Sequence, residues 1–365
     1  MNAVVETAAK VAFLSRPGAY PHGPERVEVI ETHMSWVFLA GPEVYKLKKP
    51  VRTGFLDFST LALRRHFCEE EVRLNRRLAG DVYRGVVALT CDTGGDLALD
   101  GPGRPVDWLV HSRRLPHERM LDACLRRGAV GPAEVEPLGR RLAAFYREAP
   151  RVRLAPGEYR RRLEEAVAVN HGLLAQPRFG LSRDAVAAVR TGLEAFIAEH
   201  AALLESRAAS GRIVEGHGDL RPEHVCLVDP PVVIDCLEFN RRFRELDPLD
   251  ELGFLALECR RLGAAFVGEV VLGLYRERCA DDAPPVLLDF YQALRAQLRA
   301  RLCIAHLDDH PAPPRVAHWR EQAEDYLRHA LAALASGRGT AGVGVQKTDD
   351  GGQKTERGGR KNRGA

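Results

Sequence analysis

Ile213-Val214-Glu215-Gly216-His217-Gly218-Asp219-Leu220-Arg221-Pro222-Glu223-His224-Val225-Cys226-Leu227-Val228, with Val232-Val233-Ile234-Asp235 just downstream, is the stretch that decides the fold. Ile213 and Val214 lead into His217-Gly218-Asp219, and Val225–Val228 follows it. Pro230-Pro231 then turns the chain into the run that ends at Asp235. Short β-branched runs bounded by Gly and Pro read as strands. The pattern predicts two short strands that each deliver a carboxylate to one place.

Outward from this hairpin, both flanks read as helical. Candidate helices span 118–127, 132–148, 157–174 and 183–206 before it, and 248–261, 264–279, 285–309 and 315–335 after it. The chain before His117 differs. Val27–Glu31, Ser35–Leu39 and Glu43–Leu47 read as three strands, broken by Thr32-His33-Met34 and Ala40-Gly41-Pro42 turns. A helix follows over Asp57–Leu78 with Ser59 as its cap, then strands at Tyr83–Leu89 and Val106–Val110. The expected architecture is α+β, with a small antiparallel sheet lobe of five strands and one helix, then a mostly helical lobe. The boundaries read as an irregular lead-in over 1–26, a first lobe over 27–112 and a helical lobe over 113–336. The acids lie at 217–224 and 232–238 of that lobe, and a disordered basic tail covers 337–365.

Composition narrows the classes. The 365 residues are 45% hydrophobic and 28% charged, as in ordinary globular proteins. No apolar run approaches the roughly 20 residues that span a bilayer. Residues Met1–Lys10 do not read as a secretory signal. The eight cysteines are scattered, with no Cys-x-x-Cys, and read as reduced thiols in a cytoplasmic protein. The formal charge is +3, but the tail over 337–365 carries +4, so the body is close to neutral and gives no ground for binding nucleic acid. Lysine use is more informative. The chain has 46 Arg and seven Lys, and Lys46, Lys48 and Lys49 cluster at the end of one predicted strand. A compact ammonium where the chain otherwise uses guanidinium suits contact with a phosphate.

Two carboxylates brought together beside a lysine suit one division of labour. One positions a hydroxyl nucleophile and the other holds Mg²⁺ on a nucleotide phosphate. The chain order agrees: a lysine on the third strand, a glutamate on the next helix, His-Gly-Asp, a second Asp, then Asp247-Pro248-Leu249-Asp250 opening a helix. This ordered set resembles the aminoglycoside phosphotransferase-like family of small-molecule kinases, over about residues 27–260. The resemblance implies a protein-kinase-like two-lobed fold and ATP-dependent phosphate transfer to a hydroxyl of a small polar molecule: an amino sugar, a sugar or an aminoglycoside-like compound.

The resemblance also implies roles. Lys46 would contact the nucleotide phosphates, with Lys48 as the alternative on the same strand face. Glu71 would pair with this lysine, with Glu70 as its competitor one residue away. Ser35 and nearby amides would stand at the phosphate loop, where an ordinary hairpin turn is the other reading. Asp219 would accept or orient the hydroxyl proton, His217 would pack beneath the loop, and Asp250 would accept backbone N–H groups of that loop. Asp235 would hold Mg²⁺. One position departs from the family pattern: His224 stands where the family places an Asn metal ligand, and imidazole suits Mg²⁺ poorly. Glu238 or Glu223 then becomes a possible oxygen ligand, or the site uses Mn²⁺, or His224 holds water or phosphate. A catalytically weak nucleotide-binding module acting through partners is the alternative function. The short 238–245 segment offers no activation loop of a protein kinase. Expected partners are ATP, a divalent ion and a small-molecule acceptor, with neither nucleic acid nor membrane.

Overall fold

The computed structural model describes residues 5–309 and 312–341. Helix α1 (Thr7–Leu14) precedes three strands, β1 (Val27–Glu31), β2 (Ser35–Ala40) and β3 (Glu43–Lys48). Helix α2 (Leu61–Ala79) follows, then β4 (Tyr83–Cys91), β5 (Leu97–Leu99) and β6 (Arg104–Arg113). All six strands form one antiparallel sheet in the order β1-β2-β3-β6-β4-β5. The lobe therefore has six strands, not five. The three residues of β5 are too short for an alternation to show, and they pair with the end of β4. The lead-in also holds a two-turn helix, tied down by Lys10, whose Nζ bonds Asp107 Oδ2 at 2.7 Å.

The cap of α2 is Thr60, whose Oγ1 accepts from the Leu63 N–H at 3.2 Å; Ser59, the expected cap, bonds Asp57 instead. The buried face of α2 carries Arg64, Cys68, Glu71, Val72, Asn75 and Leu78, a helical repeat that turns Glu71 inward. Cys68 and Val72 join Tyr83 and Val110 of the sheet, and Cys226 and Val232 of the second lobe, in one apolar cluster. That shared core fixes α2 between the lobes.

The second lobe contains α3 (Leu121–Arg126), α4 (Pro132–Glu148), α5 (Glu158–Leu174), α6 (Arg183–Glu199) and α7 (Ala201–Ala209). After the acid-bearing segment come α8 (Pro248–Arg261), α9 (Ala265–Cys279), α10 (Pro285–Ala305) and α11 (Pro313–Ala341). The span 183–206 is two helices rather than one, broken at His200 (φ −111°, ψ 24°). The helix expected from 118 begins at Leu121, because Met120 is extended and pairs with Cys226. Helix α11 continues to Ala341, into the span expected as tail; the rest of that span, 342–365, lies outside the described residues.

The two acids do not share one hairpin as expected. Strand β7 (Val214–Glu215) pairs with β10 (Glu245–Leu246), and β8 (Val225–Cys226) pairs with β9 (Val232–Val233). Asp219 lies in the β7–β8 connection and Asp235 lies two residues past β9. The β8–β9 hairpin still brings the two segments together. Among the described residues no helix is long and apolar enough to cross a membrane.

Candidate active site

Lys46 and Lys48 sit two residues apart on β3 and so point to one face of the sheet. Both reach Glu71. Lys46 Nζ lies 3.1 Å from Glu71 Oε1 and 2.8 Å from Asp235 Oδ1. Lys48 Nζ lies 2.6 Å from Glu71 Oε2, and its other partner is Glu238. Each oxygen of Glu71 thus takes one lysine. Glu70, turned away on the helix, bonds Arg73 at 2.8 and 2.9 Å. The cluster holds three acids for two lysines. Burial and the nearby Glu71 push the Glu238 carboxyl above its usual range, even though Lys48 opposes the shift. Lys46 holds the Asp235 carboxyl far below its usual range.

Asp235 has φ +61°, a left-handed conformation uncommon for a side-chain-bearing residue. Its backbone is held on both sides. The Asp235 N–H donates to Tyr83 Oη at 3.2 Å, and the Cys236 N–H donates to Asn75 Oδ1 at 2.9 Å. Such conformations persist where surrounding structure over-determines them. The result is a half-exposed carboxylate with Lys46 on one oxygen.

The loop bearing Asp219 is built on His217, Gly218 and Glu251. His217 is buried, its Nε2 donates to the Ile234 carbonyl at 2.9 Å, and its Nδ1 accepts from the Asp219 N–H at 3.3 Å. Burial pushes its pKa down and keeps it neutral. Gly218 adopts φ +95°, and a Cβ there would stand 2.9 Å from the Leu237 side chain, so glycine is required. Glu251 Oε2 accepts the His217 N–H at 2.9 Å and the Tyr146 hydroxyl at 2.6 Å, and Oε1 accepts the Gly218 N–H.

Support of the loop backbone therefore belongs to Glu251, not to Asp250 as expected. Asp250 pairs with Arg295 at 2.6 and 2.8 Å. One residue on a helix is a rotation of about 100°, which is enough to swap the two roles. Asp247 caps α8 through the Leu249 N–H and pairs with Arg207 at 2.7 Å. Arg77 of α2 donates to the Glu215 and Gly216 carbonyls at 2.8 and 2.7 Å, tying the helix that carries Glu71 to the entry of the loop.

Asp219 accepts from Arg221 Nε at 3.1 and 3.2 Å through its two oxygens. One N–H shared by both oxygens leaves lone pairs free for a hydroxyl. Burial opposes ionisation of Asp219, but Arg221, His224 and Arg299 outweigh it and hold its carboxyl below the usual range. His224 stands between the acids. Its Nδ1 lies 2.8 Å from the Asp219 carbonyl and 3.7 Å from Asp219 Oδ2, and its Nε2 lies 3.6 Å from Asp235 Oδ2.

The residues partly fit a metal-bound nucleotide. Asp235 offers an oxygen, Lys46 a phosphate-sized cation, and phosphates supply further oxygen ligands in such sites. Glu238, expected as a further ligand, is committed to Lys48. Among the described residues no three His, Cys, Asp or Glu side chains form a metal-holding group, so Asp235, His224 and Glu238 are not a three-ligand set. Ser35 is buried at the start of β2, and its N–H is taken by Thr32 Oγ1 at 3.0 Å in a closed hairpin turn. Two hollows of about 350 and 390 Å³, lined by residues of α5–α6 and of α8–α10, include none of these site residues.

The sequence reading missed Glu251, Arg77, Asn75 and Tyr83, which act through backbone contacts that leave no spacing signal. It also passed over Arg221, although that residue lies inside the quoted motif.

No protein-family model matches the chain. An uncharacterized protein of Mycobacterium tuberculosis strain H37Rv is 34% identical over 327 residues, which are 87% of this chain and 63% of that protein. The chain thus spans less than two-thirds of the length of this relative. Among solved structures, a choline kinase of Streptococcus pneumoniae superposes with a TM-score of 0.51 at 13% identity, covering 85% of this chain and 94% of that one. A candidate aminoglycoside phosphotransferase of Ralstonia eutropha superposes with a TM-score of 0.51 at 12% identity, covering 91% and 98%. The chain has the two-lobed, protein-kinase-like fold on which aminoglycoside phosphotransferases and choline kinases are built.

Proposed function

We propose that the chain is an ATP-dependent phosphotransferase that moves the γ-phosphate to a hydroxyl of a small polar molecule, such as a sugar, amino sugar or aminoglycoside-like compound. The observation that carries this reading is the convergence of Lys46, Glu71 and Asp235 on one side of His224, with the ionised Asp219 on the other. Lys46 Nζ donates to nucleotide phosphate oxygens while Glu71 fixes its position. Asp219 orients the acceptor hydroxyl and takes its proton as the new O–P bond forms and the bond from the γ-phosphorus to the β–γ bridging oxygen breaks. ADP leaves with that bridging oxygen. Asp235 would hold a divalent ion, which when bound would offset charge on the transferred phosphate. Eight unpaired thiols support a cytoplasmic setting.

The test is single-turnover transfer from γ-labelled ATP to a panel of sugars, amino sugars, aminoglycosides and amino alcohols, with Mg²⁺ and Mn²⁺ in parallel. Wild type should label at least one acceptor, and Asp219→Asn should label it far more slowly. Nucleotide binding with no transfer to any acceptor would favour the non-catalytic module, for which His224 at the expected Asn position is the motivating feature.

A further inference from the structure

Two ties between the lobes flank the strand that carries Lys46. The first runs through α2, whose Cys68 and Val72 share a core with Val110 of β6 and with Cys226 and Val232 of the second lobe. The second is the tip of the β1–β2 hairpin. There His33 Nε2 lies 3.0 Å from His306 Nδ1, so one ring nitrogen donates and the other accepts. The two rings stand 4.8 Å apart between centroids, and His306 stacks on Trp319 of α11 at 4.2 Å and 20°. In the sheet β3 lies between β2 and β6, so Lys46 stands between the two ties.

The ties differ in how firmly they are held. On the helical side His306 directly follows α10, and Trp319 packs against the core of that lobe. On the sheet side the turn itself is closed: the Thr32 N–H donates to the Ser35 carbonyl and the Lys49 N–H to the Met34 carbonyl, both at 2.8 Å. Yet β1 is an edge strand, and beyond Val27 all its residues are exposed. Segments with few buried contacts open at low free-energy cost. One hydrogen bond and one ring contact favour the closed arrangement by only about ten- to hundredfold. Such a contact is closed in most molecules and open in a minority.

We propose that His33, His306 and Trp319 form a latch that closes the β1–β2 hairpin against the helical lobe and gates the entry and release of nucleotide. The proposal rests on the nucleotide-site reading above. Phosphates that reach Lys46 lie between the α2 tie and the latch, so exchange waits for the latch to open. The latch holds the free and the bound protein closed alike, so it sets the rates of exchange and leaves the equilibrium unchanged.

The test uses the full chain with Mg²⁺ and a fluorescent N-methylanthraniloyl derivative of the non-hydrolysable analogue AMP-PCP, followed by stopped flow. His33 lies on an exposed turn, so its replacement leaves the core untouched. His33→Ala should raise the association and dissociation rates together by about tenfold or more, with Kd within about twofold of wild type. His306→Ala should do the same, and the double variant should exchange no faster than His306→Ala, since both rings serve one contact. Unchanged rates in His33→Ala would overturn the inference and leave the nucleotide site standing. So would faster dissociation alone with a matching loss of affinity, which would mark His33 as a contact of the bound nucleotide. Failure of the analogue to bind wild type would overturn the nucleotide reading and this inference with it.

Discussion

On the half of the site assigned to nucleotide, Lys46 and Lys48 meet Glu71 and Asp235 at 2.6–3.1 Å, and Lys48 also meets Glu238. On the transfer half, Asp219 meets one shared Arg221 N–H at 3.1 and 3.2 Å, and His224 stands 3.6–3.7 Å from both acids. The first half is a closed ion network on rigid strand and helix. The second is looser and lies in a loop braced from below. The difference shows how the charges are divided. The nucleotide half is satisfied before anything binds, so a phosphate there must redistribute existing ion pairs. The transfer half keeps lone pairs open at Asp219, which shares a single Arg221 N–H between its two oxygens.

Breaking the transfer half has the largest expected effect. Asp219→Asn should slow single-turnover transfer by about 10²- to 10⁴-fold, the usual range for loss of a general base. The bracing beneath it comes next, and it separates two adjacent acids. Asp250→Asn should cost about 3 to 5 kcal/mol of stability by leaving Arg295 buried and unpaired, read by denaturant unfolding. Glu251→Gln should cost about 3 kcal/mol by losing a charged acceptor of loop amides. It should also slow transfer, because the His217 and Gly218 amides that lead into Asp219 lose their anchor, whereas Asp250→Asn should spare the rate of the molecules that remain folded.

On the nucleotide half, Lys46→Met should weaken AMP-PCP binding by about 10- to 100-fold, the equivalent of one charged hydrogen bond. The smallest effect is on pH. Asp219 and Asp235 titrate below their ordinary values when folded. The unfolded chain therefore takes up their protons first, and their contribution to stability is present above about pH 4 and fades as pH falls through the folded values. Asp235→Asn should be less stable than wild type at neutral pH, and the two should converge in strong acid, as followed by thermal unfolding across pH.

How far the sequence foretold this site depended on whether a residue acts by its own chemistry or by supporting others. The strands around Lys46, the helix of Glu71 and the two-lobed plan were readable because alternation, helical repeat and turn residues were strong there. The choice between Lys46 and Lys48 was not a real alternative, since strand geometry lets both reach one carboxylate. Glu70 against Glu71, and Asp250 against Glu251, were undecidable locally: neighbours on a helix differ only in rotation, and packing selects between them. Strand β5 and the pairing of β7 with β10 rest on very few residues joined across long separations, which no periodicity records. Glu238 was read beside Asp235 for its carboxylate, but Lys48, buried two residues along β3, claims it.

The account turns on the separation of the two halves, and nucleotide affinity in the variants tests it most directly. Calorimetric titration with AMP-PCP and Mn²⁺ should give Asp219→Asn an affinity within about twofold of wild type, because a group that acts in the transition state contributes little to ground-state binding. Lys46→Met should bind far more weakly. If Asp219→Asn loses nucleotide affinity as badly as Lys46→Met, the two halves are one binding site, and the assignment of Asp219 to transfer is contradicted.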